Sequence, residues 1–351
     1  MKQSSLQPLP TQSADTQWPT HEWAEGALAR VDRAAFDALV AEAFASKTTP
    51  TLGETHALLV VQGGRVVFER YGDEFDASST HHSWSKAKSI TQALVGMLVK
   101  DGKLDIRARA DVPEWSGDAR ADITLDQLLR MSSGLKFSED YAPSRGTSDV
   151  IAMLFQEGRD DVAAYAASQP LEHAPGTYWS YASGTTNIAS RIASRALDAY
   201  GPDFERFMRA RLFEPLGIKS AIPKFDKAGT FIGSSFCFMT ARDFARVGLL
   251  CLRDGVWEGR RLLPEGWVDY ARTPTFQQAG VDANRYGAHW WLDFGGPGSF
   301  SANGYDGQFT ILVPDRDLII VRHGSTPLAI KDNLKAWVGK LAACFERGLG
   351  L

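Results

Sequence analysis

Apolar residues recur along this chain in two rhythms, and the rhythm switches with position. Between residues 30 and 45 they fall three or four apart (Val31, Phe36, Leu39, Val40, Ala43, Phe44), which gathers them on one face of a helix. The run HALLVVQGGRVVFERYG follows, rich in β-branched residues and split by Gly63-Gly64. Two glycines accept positive φ at both centres of a tight turn, so this run predicts a β-hairpin. From residue 86 to 100 helical spacing returns, with Ile90, Ala93, Leu94, Met97 and Leu98 on one side and a stop at Asp101-Gly102. Further helices are predicted over residues 125–131, 148–155, 160–167, 185–198, 204–213 and 241–253. TILVPDRDLIIVRHG then reads as two strands, 310–313 and 318–322, joined at Pro314-Asp315-Arg316-Asp317, with a closing helix over 330–346.

Strands therefore sit near both ends of the chain and helices between them. The simplest assembly is an α/β fold: a sheet flanked by helices, built from residues 23–80 and 290–351. Residues 81–289 then form a second, mostly helical lobe, and a site is expected in the cleft between the two. Residues 1–22, rich in Gln, Ser, Thr and Pro, read as a flexible tail.

Composition narrows the functional classes. The chain has 351 residues and a formal net charge of -4, so it lacks the basic field a nucleic-acid partner requires. No run approaches about 18 apolar residues and the N-terminus lacks a secretory core, so no membrane association and a cytoplasmic location are expected. Cys237, Cys251 and Cys344 show neither metal spacing nor an even set, and read as buried free thiols. The seven histidines make no H-E-x-x-H or ligand spacing, so no metal and no cofactor are expected. His81-His82 reads as a surface pair. There is no G-x-S-x-G elbow and no phosphate-binding glycine loop. Oligomeric state is not legible.

Three S-x-x-K patterns carry candidate chemistry: Ser83/Lys86, Ser85/Lys88 and Ser133/Lys136. Serine is a poor nucleophile until a base takes its proton, and a lysine one helical turn away has the reach. That lysine must be desolvated or placed near another cation to act as a base. Ser133/Lys136 runs into Gly134 and a polar stretch that would not hold a helix. On a helical wheel Lys86 falls with Ile90, Leu94 and Met97, whereas Ser85, Lys88 and Gln92 share a polar stripe suited to a cleft. The alternative, a helix cap followed by a solvated lysine, stays open on spacing alone.

The wider pattern narrows it. Trp84–Asp105 (WSKAKSITQALVGMLVKDGKLD) resembles the nucleophile helix of the serine β-lactamase and penicillin-recognising superfamily. ITLDQLLRMSSGL, APGTYWSYASGTTNIASRI and ANGYDGQFTILVPDRDLIIVRHG follow in family order, so the resemblance covers most of the chain from about Ala57 onward. The resemblance implies an antiparallel sheet with an all-helical second lobe, Ser85 as the acylated nucleophile, Lys88 as its base and Tyr181 as partner acid/base. Ser183 completes Y-x-S and would orient Tyr181 or bind substrate. Tyr305-Asp306-Gly307-Gln308 would stand at the K-T-G strand, with the Gln308 N–H joining that of Ser85 as oxyanion donor and Tyr305, Asp306 and Gly307 touching substrate. An aspartate there would repel a carboxylate, so neutral or cationic groups are expected on that side.

The overall flavour resembles the esterase and 6-aminohexanoate-dimer hydrolase branch, where a tyrosine on the loop after the SGL turn closes over substrate; Tyr141 matches it. Trp179, Trp290 and Trp291 are candidates either for the pocket wall or for core packing. The expected function is hydrolysis of a small ester or amide through an acyl-enzyme. The alternatives are a true β-lactamase or DD-peptidase, and a catalytically silent binding module of the same fold.

Overall fold

Asp32 opens the first helix by accepting the Ala35 N–H, and α1 (Arg33–Ala43) buries Phe36, Val40 and Ala43. The predicted hairpin forms as β1 (Glu54–Gln62) and β2 (Arg65–Tyr71), with Gly63 and Gly64 at φ 59° and 76°. After the short β3 (Thr80–His81), a 3-10 turn over Trp84–Lys86 runs into α2 (Ala87–Lys100). The chain continues through α3 (Leu125–Leu129), α4 (Asp149–Phe155), α5 (Val162–Ala167), α6 (Ser183–Leu197) and α7 (Pro202–Met208), the last extended by a wider π turn over Arg209–Phe213. A capping box between Thr124 and Gln127 fixes the start of α3. Then come β4 (Ile222–Pro223), β5 (Cys237–Thr240), α8 (Ala241–Leu252), the hairpin β6 (Val256–Trp257) and β7 (Arg260–Arg261), and α9 (Trp267–Ala271). The chain closes with β8 (Trp291–Leu292), β9 (Phe300–Gly304), β10 (Gln308–Val313), β11 (Leu318–Ser325) and α10 (Lys331–Ala343). This computed structural model describes residues 6–141, 148–276 and 285–348.

The two ends of the chain meet in one six-stranded sheet of order β2-β1-β11-β10-β9-β8, with every neighbouring pair antiparallel. The seam is β1 against β11, from Glu54 opposite Ser325 to Gln62 opposite Leu318. Both faces of the sheet are covered, which is why β1 reads as an unbroken apolar run rather than an alternation. Leu58 and Val60 pack on one face against Phe36 of α1 and Leu334, Trp337 and Leu341 of α10. Ala57, Leu59 and Val61 point the other way into the larger core, with α8 and the helical lobe. That core encloses α2 for all but its last two residues: every residue from Ala87 to Leu98 is buried. The polar stripe expected to face a cleft does so only at its Ser85 end. The middle of the chain is mostly helical and adds two small sheets, β3-β5-β4 and β6-β7.

The N-terminal segment departs from its reading as a flexible tail. Residues 1–5 lie outside the described residues, but from Leu6 onward the segment is tied down. Buried Arg253 at the end of α8 donates to the Gln12 side chain (2.9 Å) and to the Pro10 carbonyl (3.4 Å), and pairs with both carboxylate oxygens of Asp317. Arg246 donates to the Pro19 carbonyl at 2.8 Å, and the Trp257 indole N–H to Thr20 Oγ1 at 2.8 Å. The polar composition that suggested disorder supplies acceptors for buried donors instead. The three cysteines are buried and unpaired, as expected. Among the described residues no helix is long and apolar enough to cross a membrane.

Candidate active site

The turn that presents Ser85 is pinned from two sides. Ser83 Oγ donates to the Ser235 carbonyl and accepts the Cys237 N–H, both at 2.9 Å, which ties it to the start of β5. Trp84 takes the left-handed conformation (φ 45°), and its N–H donates to His82 Nδ1 at 2.8 Å. A non-glycine residue in that region is strained and persists only where its surroundings hold it. Ser85 follows, half-buried at the wall of a cavity of about 320 Å³. Two larger hollows, about 540 and 590 Å³, lie along the N-terminal segment and are lined by none of Ser85, Lys88 and Tyr181.

Of the three S-x-x-K pairs only Ser85/Lys88 is joined side chain to side chain. Lys88 Nζ lies 2.9 Å from Ser85 Oγ, 3.0 Å from Ser183 Oγ and 3.0 Å from the Ser234 carbonyl. Burial brings its ammonium down to about 8, with Glu139 pulling the other way. Lys86 turns away into the core, its Nζ 3.4 Å from the centroid of the Phe244 ring and 3.2 Å from His323 Nε2. Lys136 is exposed.

Tyr181 stands just before α6, its ring 4.8 Å from Lys88 Nζ and its hydroxyl in reach of Ser85 and Trp291. Burial and the Glu139 charge push its phenol well up, so it holds its proton in the resting site. Ser183, expected to orient Tyr181 or bind substrate, is fully buried and bridges Lys88 to Glu139. Its N–H donates to one Glu139 carboxylate oxygen at 2.7 Å and its hydroxyl to the other at 2.5 Å. Glu139 was not anticipated. It lies in SEDY, a polar stretch with no periodicity to mark it, and its spacing from the SGL turn was the only signal available. Burial raises its carboxyl pKa, opposed first by the Lys88 charge. Two residues on, the Tyr141 ring stacks on Tyr305 at 4.8 Å and meets Trp84 edge-on at 6.0 Å, so Tyr141 does line the cavity.

The K-T-G comparison needs a shift of register. A Cβ on Gly304 would lie 2.4 Å from the Ser83 carbonyl oxygen and 3.1 Å from Trp84 Cβ, so β9 runs directly against the turn that presents Ser85 and only glycine fits. A Cβ on Gly307 would instead meet Arg322 and Leu334. The segment beside Ser85 is thus Ala302-Asn303-Gly304, and the first amide beyond it belongs to Tyr305. Gln308 is buried at the start of β10 and does not line the cavity. Its side chain donates to the Gly324 carbonyl at 2.5 Å and accepts from His323 Nδ1 at 3.0 Å. Asp306 (φ 64°) touches the cavity, but its carboxylate accepts the Thr326 N–H (2.9 Å) and the Ser325 hydroxyl (3.2 Å) and faces the buried Arg322 guanidinium. It anchors a turn.

Trp291 lines the cavity; Trp290 is core, packed on Phe300 at 5.1 Å, and Trp179 stands behind Trp291. The histidine pair is not a surface pair. His81 is buried, which brings it down to about 3, and stacks on His323 at 4.4 Å, while His82 lies against Trp84 and Phe238. Among the described residues no group of three His, Cys, Asp or Glu side chains could hold a metal ion.

Comparison with known proteins agrees with this fold. The family model described as Beta-lactamase matches residues 36–343. A 6-aminohexanoate-dimer hydrolase of Paenarthrobacter ureafaciens is 28% identical over 289 residues, 78% of this chain and 73% of that protein. A Bacillus anthracis structure, assigned provisionally as a 6-aminohexanoate-dimer hydrolase, superposes with a TM-score of 0.74 at 18% identity, covering 96% of this chain and 90% of that one. A family VIII carboxylesterase superposes with a TM-score of 0.64 at 16% identity, covering 88% and 96%. At such identities the structures share the fold.

Proposed function

This chain belongs to the Beta-lactamase family and is a serine hydrolase of that fold, and we propose that it cleaves small esters or amides through an acyl-enzyme on Ser85. The observation that carries the reading is Lys88 Nζ 2.9 Å from Ser85 Oγ, in an enclosure that brings the amine down to about 8. A lysine so tuned spends a useful fraction of its time neutral near pH 7, as a general base must. Ser85 Oγ gives its proton to Lys88 and attacks the substrate carbonyl. The oxyanion forms between the backbone amides of Ser85 and Tyr305. Tyr181, holding its proton, delivers one to the leaving group and is recharged from Lys88; water then attacks the acyl-enzyme with the same groups in reverse. Ser183 and Glu139 hold Lys88 in line.

Ala302-Asn303 beside the nucleophile, where penicillin-recognising enzymes carry Lys-Thr, favours an esterase or linear-amidase role over a true β-lactamase or DD-peptidase. The relatives named as a 6-aminohexanoate-dimer hydrolase and a carboxylesterase support the same choice. The unbroken chain of bonds from Ser85 to Glu139 argues against a silent binding module. The substrate is proposed to be a small molecule, with neither nucleic acid nor membrane as partner.

The test is hydrolysis of p-nitrophenyl butyrate by wild type, Ser85→Ala and Lys88→Ala, with intact mass taken during turnover. Wild type should carry a transient butyryl adduct, and each variant should lose on the order of a thousandfold or more in kcat with its fold intact. Equal turnover by Ser85→Ala would remove Ser85 as nucleophile. Nitrocefin turnover outpacing ester turnover would restore the β-lactamase reading.

A further inference from the structure

We propose that this cavity selects substrates whose far end is a carboxylate, held by Lys331 and Lys335 at the start of α10. The inference rests on Ser85 being the nucleophile and adds the charge of the group that lies across from it. Both lysines line the same 320 Å³ cavity as Ser85, Tyr141 and Tyr181. They are four residues apart on one helix, which places them side by side on one face. Leu328 and Phe294 complete that wall with apolar surface, and Lys335 Nζ lies 5.4 Å from the centroid of the Phe294 ring.

The charge balance of the cavity singles out this pair. Its two carboxylates are already satisfied from within the protein: Glu139 by both donors of Ser183 and by Lys88, Asp306 by Thr326, Ser325 and Arg322. Lys331 is exposed and makes no ion pair among the described residues. Among the described residues Lys335 forms an ion pair only with Asp332, at 3.4 Å and with the Asp332 side chain 81% exposed. A solvated pair of that kind contributes little and exchanges easily. Two neighbouring ammonium groups repel across one turn, and a carboxylate placed between them relieves the repulsion. The apolar wall around them lowers the local dielectric and strengthens that attraction. The preference expected from Asp306 is therefore reversed: the aspartate is occupied and the lysines are not.

The carboxylate could belong to the acyl group or to the leaving group, and paired esters separate the two. For the acyl side, the mono-p-nitrophenyl ester of glutarate is compared with that of glutaramate, its neutral isostere. For the leaving side, 4-carboxyphenyl butyrate is compared with 4-carbamoylphenyl butyrate. At low ionic strength wild type should favour the charged member of at least one pair by about tenfold in kcat/KM, and 0.5 M salt should reduce that ratio. In the double variant Lys331→Ala/Lys335→Ala the ratio should fall toward one, and in Lys331→Glu/Lys335→Glu it should invert. Turnover of the neutral esters with no charge preference in either pair, or a preference that survives both variants, overturns this inference alone. Failure of wild type to turn over any of the four esters, with no acyl adduct on Ser85, overturns the serine-acylation reading and this inference with it.

Discussion

Replacing Glu139 by Gln removes one buried charge at nearly constant shape, and its effect can be worked from the site. The Lys88–Ser183 and Ser183–Glu139 bonds, 3.0 and 2.5 Å, keep the ammonium and carboxylate at most about 5.5 Å apart. At an effective dielectric of about 20 that separation corresponds to roughly 3 kcal/mol, or about two pKa units. The carboxylate favours the ammonium form, so its loss moves Lys88 down, from about 8 toward about 6. At pH 6 the neutral fraction of the lysine should rise from about 1% to about one half. Ser183 also loses a charged acceptor, which should lower the plateau rate by about tenfold or more through misplacement of Lys88. The assay is kcat/KM for p-nitrophenyl butyrate between pH 5 and 9. The acid limb should shift down by one to two units while the plateau falls, so the variant compares best with wild type at low pH. A limb that stays put, or moves up, would refute the coupling through Ser183. A thermal melt of the variant separates this from unfolding.

Two further substitutions test the geometry around β9. Gly304→Ala places a methyl group 2.4 Å from the Ser83 carbonyl and should cost about a hundredfold or more in kcat, with weaker fluorophosphonate labelling of Ser85; normal labelling would show that β9 does not set the nucleophile turn. Asp306→Ala removes two hydrogen bonds and leaves an alanine at φ 64°, and should cost about 2–3 kcal/mol by chemical denaturation, most of it recovered in Asp306→Gly or Asp306→Asn. An alanine variant as stable as wild type would mean that Asp306 is no turn anchor.

Much of the fold could be read from the sequence because its signals are local. The Gly63-Gly64 hairpin, the Asp101-Gly102 stop and the apolar faces of α1 and α2 each follow from residues a few positions apart. Ser85 and Lys88 were legible for the same reason. What escaped was set by contacts distant in sequence. Phe300–Gly304 forms the strand beside the Ser85 turn, yet FSANG has almost no strand character, because it packs against a turn more than two hundred residues away. Without that contact the glycine of YDGQ looked like the close approach, and the register slipped by three residues. Glu139 matters through Ser183, forty-four positions on. His81 looked exposed because its partner His323 comes from the other end of the chain. The polar N-terminus looked mobile because the arginines it satisfies lie on α8.

The enclosure of α2 bears on how such an enzyme changes over time. A helix buried from Ala87 to Leu98 offers almost no position where substitution is free, so Lys88, and with it the turn that presents Ser85, proposed here to carry the chemistry, belongs to the least replaceable part of the molecule. The rim is another matter. Lys331 stands at the surface, and Tyr141 is carried on a connecting segment rather than on the core. Loops and exposed helix faces tolerate replacement. Substrate range can therefore drift through rim substitutions while the nucleophile helix stays the same, and diversification in this chain should be sought at its edges.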